Sequence, residues 1–342
     1  MKEYKLSIIG FGTVGRSLCK LIIDKKSHIE KKMGISLKII AIFEYNGAFI
    51  NKEDGLNLKD LVDLFPKQYP DNESWIPDYL ADDNLASINS DIVIEVTKTN
   101  IVDAEPAYTY IMKALNNQMD VVTSNKGPLA LYYPELMRIV KEKNRLLRFE
   151  ASVGGVIPIL GTYSNLLLAN KVTAISGILN GTTNYILTKM TLEKIPFDIA
   201  LQDAQENGYA EADPTLDIEG IDAASKLVIL ANSILNYESK LSDVERQGIN
   251  KITLEAIDLA RDEGYVIKHV ALAKNGKLEV APKLIPDDHT LDIEGTKNII
   301  VLETEEAGEI IISGRGAGGT EAASAILSDL LYICKIRKKE II

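Results

Sequence analysis

Residues 207–226 read NGYAEADPTLDIEGIDAASK and set five acids, Glu211, Asp213, Asp217, Glu219 and Asp222, ahead of a single lysine, Lys226. Gly208, Pro214 and Gly220 punctuate the stretch, so its first half is expected as loop. A solvated helical face would repeat its charges at helical spacing among basic partners, and this segment does not. Acids gathered on a glycine- and proline-shaped loop that ends at one lysine suit a polar binding site; the plainer alternative is an acidic surface loop. Asp222 and Lys226 are four residues apart on the helix expected over 221–235 and so share a face. At the surface such a pair contributes under about 1 kcal/mol. At the floor of a pocket it can bind an amine and transfer a proton. A second lysine, Lys126, stands in SNKGP directly after the strand expected over 120–123, where it projects from the C-terminal edge of a sheet. Its plain alternative is an ordinary surface lysine.

These residues need a frame, and the first half of the chain supplies one kind. Residues 4–9 read as a buried strand, Gly10-Phe11-Gly12-Thr13-Val14-Gly15 follows at once, and a helical pattern runs on through Leu18, Leu21 and Ile22. Strand, glycine turn and helix together form the context in which this spacing binds a dinucleotide. Gly10 permits the turn, Gly12 lets the main chain approach a pyrophosphate, and Gly15 lets the helix sit close to the sheet. The N–H groups of the first helical turn, around Thr13 and Val14, then face the phosphates. Further strands are expected over 37–43, 91–96, 120–122 and 145–149, with helices over 104–115 and 134–143. This alternation predicts a doubly wound parallel sheet with ligands beyond the strand C-termini. The second strand ends in Phe43-Glu44, an acid placed to accept from ribose hydroxyls and to repel a 2′-phosphate. With no arginine expected nearby, this leans toward NAD over NADP, although Lys52 could still receive a phosphate. Thr97, in the loop after the strand 91–96, could line the nicotinamide side; otherwise that loop is merely polar.

The second half has a different texture. Glu150-Ala151-Ser152-Val153-Gly154-Gly155-Val156-Ile157-Pro158 is too irregular for a long helix. It fits a tight hinge, or a ring of carbonyl oxygens around a hard monovalent cation with Glu150 as the charged ligand. A strand over 171–179 leads into Asn180-Gly181-Thr182-Thr183-Asn184-Tyr185, which can cap a helix or offer polar groups to a substrate. Residues 197–206 read as helix. Strands over 265–273 and 277–284 flank Asn275-Gly276, a two-residue hairpin signal, and a second hairpin is expected across Ala307-Gly308. Gly314-Arg315-Gly316-Ala317-Gly318-Gly319 then opens a helix over 321–336 that would return the chain to its first half, with Gly316 approaching the cofactor or the first glycine turn. The expected division is 1–153, rejoined by 314–342, and 154–313, an α/β dinucleotide domain plus an α+β domain.

At 342 residues, 46% hydrophobic and 25% charged, the chain has the balance of a soluble two-domain protein. A net charge of −11 argues against a general nucleic-acid binder. No apolar run approaches the roughly 18 residues of a membrane span, and no secretory leader is recognisable at the N-terminus. The expectation is a cytoplasmic protein, so the sequon at Asn180 is not expected to carry sugar. Two cysteines, Cys19 and Cys334, make neither a disulfide framework nor a thiolate metal site.

From GFGTVG through SNKGP, EASVGGVIP, NGTTNYI and GYAEADPTLDIEGIDAASK to GRGAGG, the sequence resembles homoserine dehydrogenases over essentially its whole length, in the short form without a C-terminal regulatory domain. The acidic segment is the specific part of that likeness; the glycine turn alone is generic. The resemblance implies NAD(P)-dependent, reversible reduction of L-aspartate 4-semialdehyde to L-homoserine by a homodimer. It implies that Glu211 and Asp222 bind the amino acid, with Gly208 and Asp217 on the same loop, and that Lys226 gives the proton with Lys126 beside the substrate. It further implies a sodium ion at Glu150 and the backbone of Val153, Gly155 and Ile157. Family members more often carry aspartate or a small polar residue where this chain has Glu44, which leaves the cofactor preference open. A semialdehyde dehydrogenase working through an acyl-enzyme would need a cysteine nucleophile, and both cysteines fall within expected helices. A silent dinucleotide-binding scaffold would have no use for the two lysines and the acids together.

Overall fold

The computed structural model describes residues 1–339; residues 340–342, which the sequence assigns to the first domain, lie outside them. The chain divides into two compact units, Met1–Ser152 with the segment from Gly318, and Val153–Ala317.

In chain order the first unit contains β1 (Lys2–Ile9), α1 (Thr13–Met33), β2 (Ile35–Glu44), β3 (Gly47–Ile50), α2 (Leu58–Leu61), β4 (Trp75–Pro77), α3 (Ala81–Ile88), β5 (Ile92–Glu95), α4 (Ala107–Asn116), β6 (Asp120–Thr123), α5 (Lys126–Lys143) and β7 (Leu147–Arg148). Its seven-stranded sheet has the order β4-β3-β2-β1-β5-β6-β7. The strands β2, β1, β5, β6 and β7 are parallel, as the alternating pattern predicts. The strands β3 and β4 add an antiparallel edge that the sequence reading omitted. A parallel strand covered on both faces reads as an unbroken apolar run, and Ile92, Val93 and Ile94 are each at most 1% exposed. Three other expectations need correction. The helix expected from residue 104 begins at Ala107, after a left-handed Ala104 (φ 65°) and Pro106. The strand expected over 145–149 keeps only Leu147 and Arg148. The helix expected from residue 134 begins eight residues earlier, at Lys126, and bends at Tyr132 (φ −130°, ψ 23°), two residues before Pro134. Pro134 removes a helical N–H and crowds the preceding turn.

The second unit contains α6 (Ile159–Leu166), β8 (Val172–Ile178), α7 (Gly181–Glu193), α8 (Phe197–Glu206), α9 (Thr215–Ile218), α10 (Ile221–Ile234), β9 (Val244–Arg246), α11 (Leu254–Asp262), β10 (Tyr265–Lys274), β11 (Lys277–Pro286), β12 (Lys297–Thr304) and β13 (Gly308–Arg315). Its six-stranded sheet runs β13-β12-β8-β10-β11-β9. Both expected hairpins form; at the first, Asn275 and Gly276 both have positive φ, the requirement of the tight turn that matches strand twist. The helix α10 is rich in alanine and aliphatic residues and almost wholly buried. Each fully buried Leu or Ile there contributes about 1.5–3 kcal/mol relative to exposure.

The last helix, α12 (Gly319–Lys339), belongs to the first unit. It packs along α1, with Ile326, Leu330 and Ile333 in the same core as Leu6, Ile8 and Leu18. Polar ties fasten it along its length. Tyr4 donates to the Cys334 carbonyl at 2.7 Å, Arg148 donates to Asp329 at 3.0 Å, and Arg337 grips buried Asp120 through two bonds of 2.7 and 2.6 Å. Among the described residues no helix is long and apolar enough to cross a membrane.

Candidate active site

In the first unit the glycine turn links β1 to α1 where the strand order reverses between β1 and β5, the usual place for a ligand in such a sheet. Gly10 takes φ +98°, and a Cβ there would lie 2.8 Å from the Val96 carbonyl oxygen; at Gly15 it would lie 2.4 Å from the Gly10 oxygen. A Cβ at Gly12 would meet nothing within 4 Å, so the space before the turn is open. No side chain caps α1, which leaves its first N–H groups for an anion. These observations fit a bound pyrophosphate.

Glu44 ends β2, and its Oε1 accepts the Phe11 N–H at 2.8 Å, so the carboxylate braces the glycine turn. Burial raises its pKa, against that hydrogen bond and the charge of Arg16. Here the structure corrects the expectation that no arginine is near. Arg16, in the first turn of α1, lies over the Phe11 ring at 4.4 Å. The 28 residues separating it from Glu44 in sequence hid this approach. Its donors go to the carbonyls of Leu61 and Val62 and to the Tyr69 hydroxyl. Lys52 donates to the Ser87 carbonyl at 2.9 Å.

Thr97, in the loop after β5, and Lys126, at the start of α5, follow adjacent strands of the sheet, and Glu95, a residue without a role in the sequence pattern, links the two strand ends. Glu95, the last residue of β5, is fully buried and accepts from the Thr97 N–H (2.9 Å), the Thr97 hydroxyl and the Thr123 hydroxyl (2.7 Å). Burial raises its pKa against those hydrogen bonds. A carboxylate closing the apolar run IVIE was the available signal. Asn125 continues the network: its Nδ2 faces the Thr97 and Lys98 carbonyls, and its Oδ1 caps α5 through the Gly127 N–H at 3.1 Å. Lys126 is therefore the first residue of a capped helix.

In the second unit, two acids of residues 207–226, Asp217 and Asp222, meet the lysine Lys226. Lys226 is 8% exposed; its Nζ lies 2.6 Å from Asp222 Oδ2 and 2.8 Å from the Leu179 carbonyl oxygen. Asn180 completes the cluster. Its Oδ1 accepts the Thr183 N–H and caps α7, while its Nδ2 donates to Asp217 Oδ1 at 2.6 Å and Asp222 Oδ2 at 3.0 Å. The cap reading of NGTTNY holds at Asn180, whose amide nitrogen also reaches the two acids. Burial first, and the neighbouring Asp222 charge second, raise the Asp217 pKa. Thr182 donates to the Tyr209 carbonyl at 2.6 Å and ties the loop bearing Gly208 (φ +73°) to the start of α7. Glu211 lies on the exposed part of that loop, with its carbonyl taken by Gln205, and does not join the cluster.

Of the cation candidates, Glu150 belongs to the first unit and Val153, Gly155 and Ile157 to the second. Gly154 and Gly155 are both left-handed (φ +69° and +60°), a pairing that redirects successive carbonyls. The Ile157 oxygen accepts the Ile159 N–H at 2.9 Å, which leaves it one further lone pair. Gly316 lies in the second unit, with its backbone against Asn298. Among the described residues no group of three or more His, Cys, Asp or Glu is placed to hold a metal. Both cysteines are buried, and burial pushes each thiol up to about 12, which suits neither to nucleophilic attack.

The family model described as "Homoserine dehydrogenase" matches residues 158–331, and that described as "Homoserine dehydrogenase, NAD binding domain" matches residues 10–150. The chain belongs to the homoserine dehydrogenase family. It is 44% identical to the homoserine dehydrogenase of Methanocaldococcus jannaschii over 337 residues, covering 97% of this chain and 99% of that one. It is 36% identical to the NAD(+)-dependent homoserine dehydrogenase of Pseudomonas canavaninivorans, covering 97% of each. A crystal structure of a putative homoserine dehydrogenase from Archaeoglobus fulgidus superposes with a TM-score of 0.88 at 39% identity, over 96% of this chain and 99% of that one. The protein is accordingly an NAD(P)-dependent oxidoreductase that interconverts L-aspartate 4-semialdehyde and L-homoserine.

Proposed function

We propose that the cluster of the second unit holds the amino acid and that Lys226 moves the proton. The observation that carries this reading is the buried ammonium itself. Two of its three N–H groups go to Asp222 and the Leu179 carbonyl, and the third is the donor for a substrate oxygen. Reduction of the aldehyde builds negative charge on oxygen as hydride, supplied by the reduced nicotinamide, reaches carbon. Lys226 neutralises that charge and gives its proton to the oxygen. Asp222 and Asp217 attract the substrate's own ammonium, Glu211 adds its charge from the exposed part of the loop that Gly208 shapes, and Lys126 serves the same reaction as a second cation. Lys226→Ala is expected to lower kcat by about 10²–10⁴ while reduced cofactor still binds. Turnover near wild type from a folded variant would remove Lys226 from this role.

For the cofactor we assign Gly10, Gly12, Thr13, Val14 and Gly15 to the pyrophosphate, Glu44 to the adenosine ribose, Thr97 to the nicotinamide side and Gly316 to the flanking glycine segment. Glu44 favours NAD, because a 2′-phosphate would meet a carboxylate while Arg16 is engaged with carbonyls. Sodium, where bound, would take Glu150 and the carbonyls of Val153, Gly155 and Ile157, and would supply a fixed positive charge. A cytoplasmic homodimer completes the proposal. Its candidate interface is the late hairpin β12–β13, where Ile311 on the edge strand exposes 43% of its surface. Light scattering decides between one chain and two.

A further inference from the structure

The carbonyl that holds Lys226 has a second donor. Asn298, on β12, is fully buried, and its Nδ2 donates to the Leu179 oxygen at 2.8 Å, the same oxygen that accepts from Lys226 Nζ at 2.8 Å. A carbonyl oxygen offers two lone pairs, so the amide and the ammonium together fill its capacity. The amide is itself clamped. A Cβ on Gly316 would lie 2.1 Å from Asn298 Cγ, so the Gly316 backbone rests directly against the amide group. The far side of the amide is unsatisfied: Asn298 Oδ1 is buried and has no hydrogen-bond partner. Ile300 and Leu302, which share its face of the strand by alternation, are fully buried apolar residues. At such a position an apolar side chain of similar size avoids the penalty of an orphan acceptor. Stability alone therefore gives no reason for an asparagine, whereas its one hydrogen bond ends on the carbonyl that orients the lysine.

We propose that Asn298 is a positioning residue for the proton transfer. By occupying one lone pair of the Leu179 oxygen and fixing the plane of that carbonyl, it confines Lys226 to the other lone pair. The ammonium is then held at two points, Asp222 and a single carbonyl direction, and its third N–H keeps one aim. Without the amide N–H, the carbonyl plane can turn and the ammonium can follow either lone pair, so the donor meant for the substrate loses its single aim. This inference rests on the reading of Lys226 as the proton carrier.

The test uses the full chain carrying Asn298→Leu, which removes the donor and keeps the bulk. Asn298→Ala, which removes the donor without adding charge or branching, guards against a misfit of the leucine in the first. Homoserine oxidation is followed for each, alone and combined with Lys226→Ala, together with melting temperature and the solvent deuterium isotope effect. Expected are a kcat lower by on the order of 10- to 100-fold, KM values for homoserine and cofactor within about twofold, a larger isotope effect, and no further loss in the Lys226→Ala background. A purely structural role would lower the melting temperature and multiply the loss equally in both backgrounds. Equal losses beside a disabled Lys226→Ala overturn the role of Asn298 alone. Wild-type turnover by Lys226→Ala overturns the assignment of the lysine and this inference with it.

Discussion

At Gly15 one added carbon would sit 2.4 Å from a main-chain oxygen, whereas around Lys226 the contacts that matter are charges and amides at 2.6–3.0 Å. In the proposed assignment the first unit would meet a dinucleotide with main-chain N–H groups, whose placement is enforced by the absence of room. The second unit would meet an amino acid with side chains, whose placement is enforced by mutual hydrogen bonding through Asn180 and the Leu179 carbonyl. The two sites therefore fail in opposite ways. One is broken by adding a group, the other by removing one.

After Lys226→Ala, the largest effect in that contrast is expected at Gly15. Gly15→Val drives a branched side chain into the Gly10 carbonyl and displaces the start of α1, and affinity for reduced cofactor should fall about 100-fold or more, a loss of ~3 kcal/mol. Fluorescence titration reads this directly, and an unchanged Kd would mean that the turn is not set by sterics. A smaller effect, of mixed sign, is expected at Asp217. Its carboxyl titrates above its ordinary value of 3.8 through burial and the charge of Asp222. The stability it contributes is thus present in full below that ordinary value and is lost as pH rises through the raised one. Asp217→Asn should then melt higher than wild type at pH 7 with a narrower gap at pH 4, while the KM for homoserine rises by about tenfold, ~1.4 kcal/mol. A variant less stable at pH 7 would show that the carboxylate supports the fold. The smallest effect is expected at Glu44, where Glu44→Gln can keep the bond to the Phe11 N–H but drops the charge. The ratio of NADP to NAD turnover should rise by up to about tenfold, and a ratio that does not move would release Glu44 from cofactor choice.

How much of this was legible in the sequence follows from the kind of signal each part leaves. The glycine turn, the parallel core strands and the Asn275-Gly276 hairpin were readable because each depends on a few neighbouring residues. The edge strands β3 and β4 were not, since four and three residues show no period. The first turns of α5 were hidden behind Gly127 and Pro128. Both look like loop, yet Pro128 falls in the first helical turn, where no partner is needed for the N–H it lacks. In the acidic loop the charges were plain but their directions were not, and so Asp217, Asp222 and Lys226 converge while Glu211 stays on the surface. Arg16 and Asn298 act through hydrogen-bond partners 45 to 119 residues away, and local spacing carries no trace of that.

The return of α12 has a consequence in time. Leu330 and Ile333 fill the core beside β1, and Arg337 closes on Asp120, yet the ribosome makes all of residues 153–317 before these partners exist. At 5–20 residues per second that interval lasts on the order of ten to thirty seconds. During it the nascent first unit carries an uncovered apolar strip along α1 and a buried-to-be aspartate without its arginine. The cofactor-binding half, though begun first, is the last to be finished.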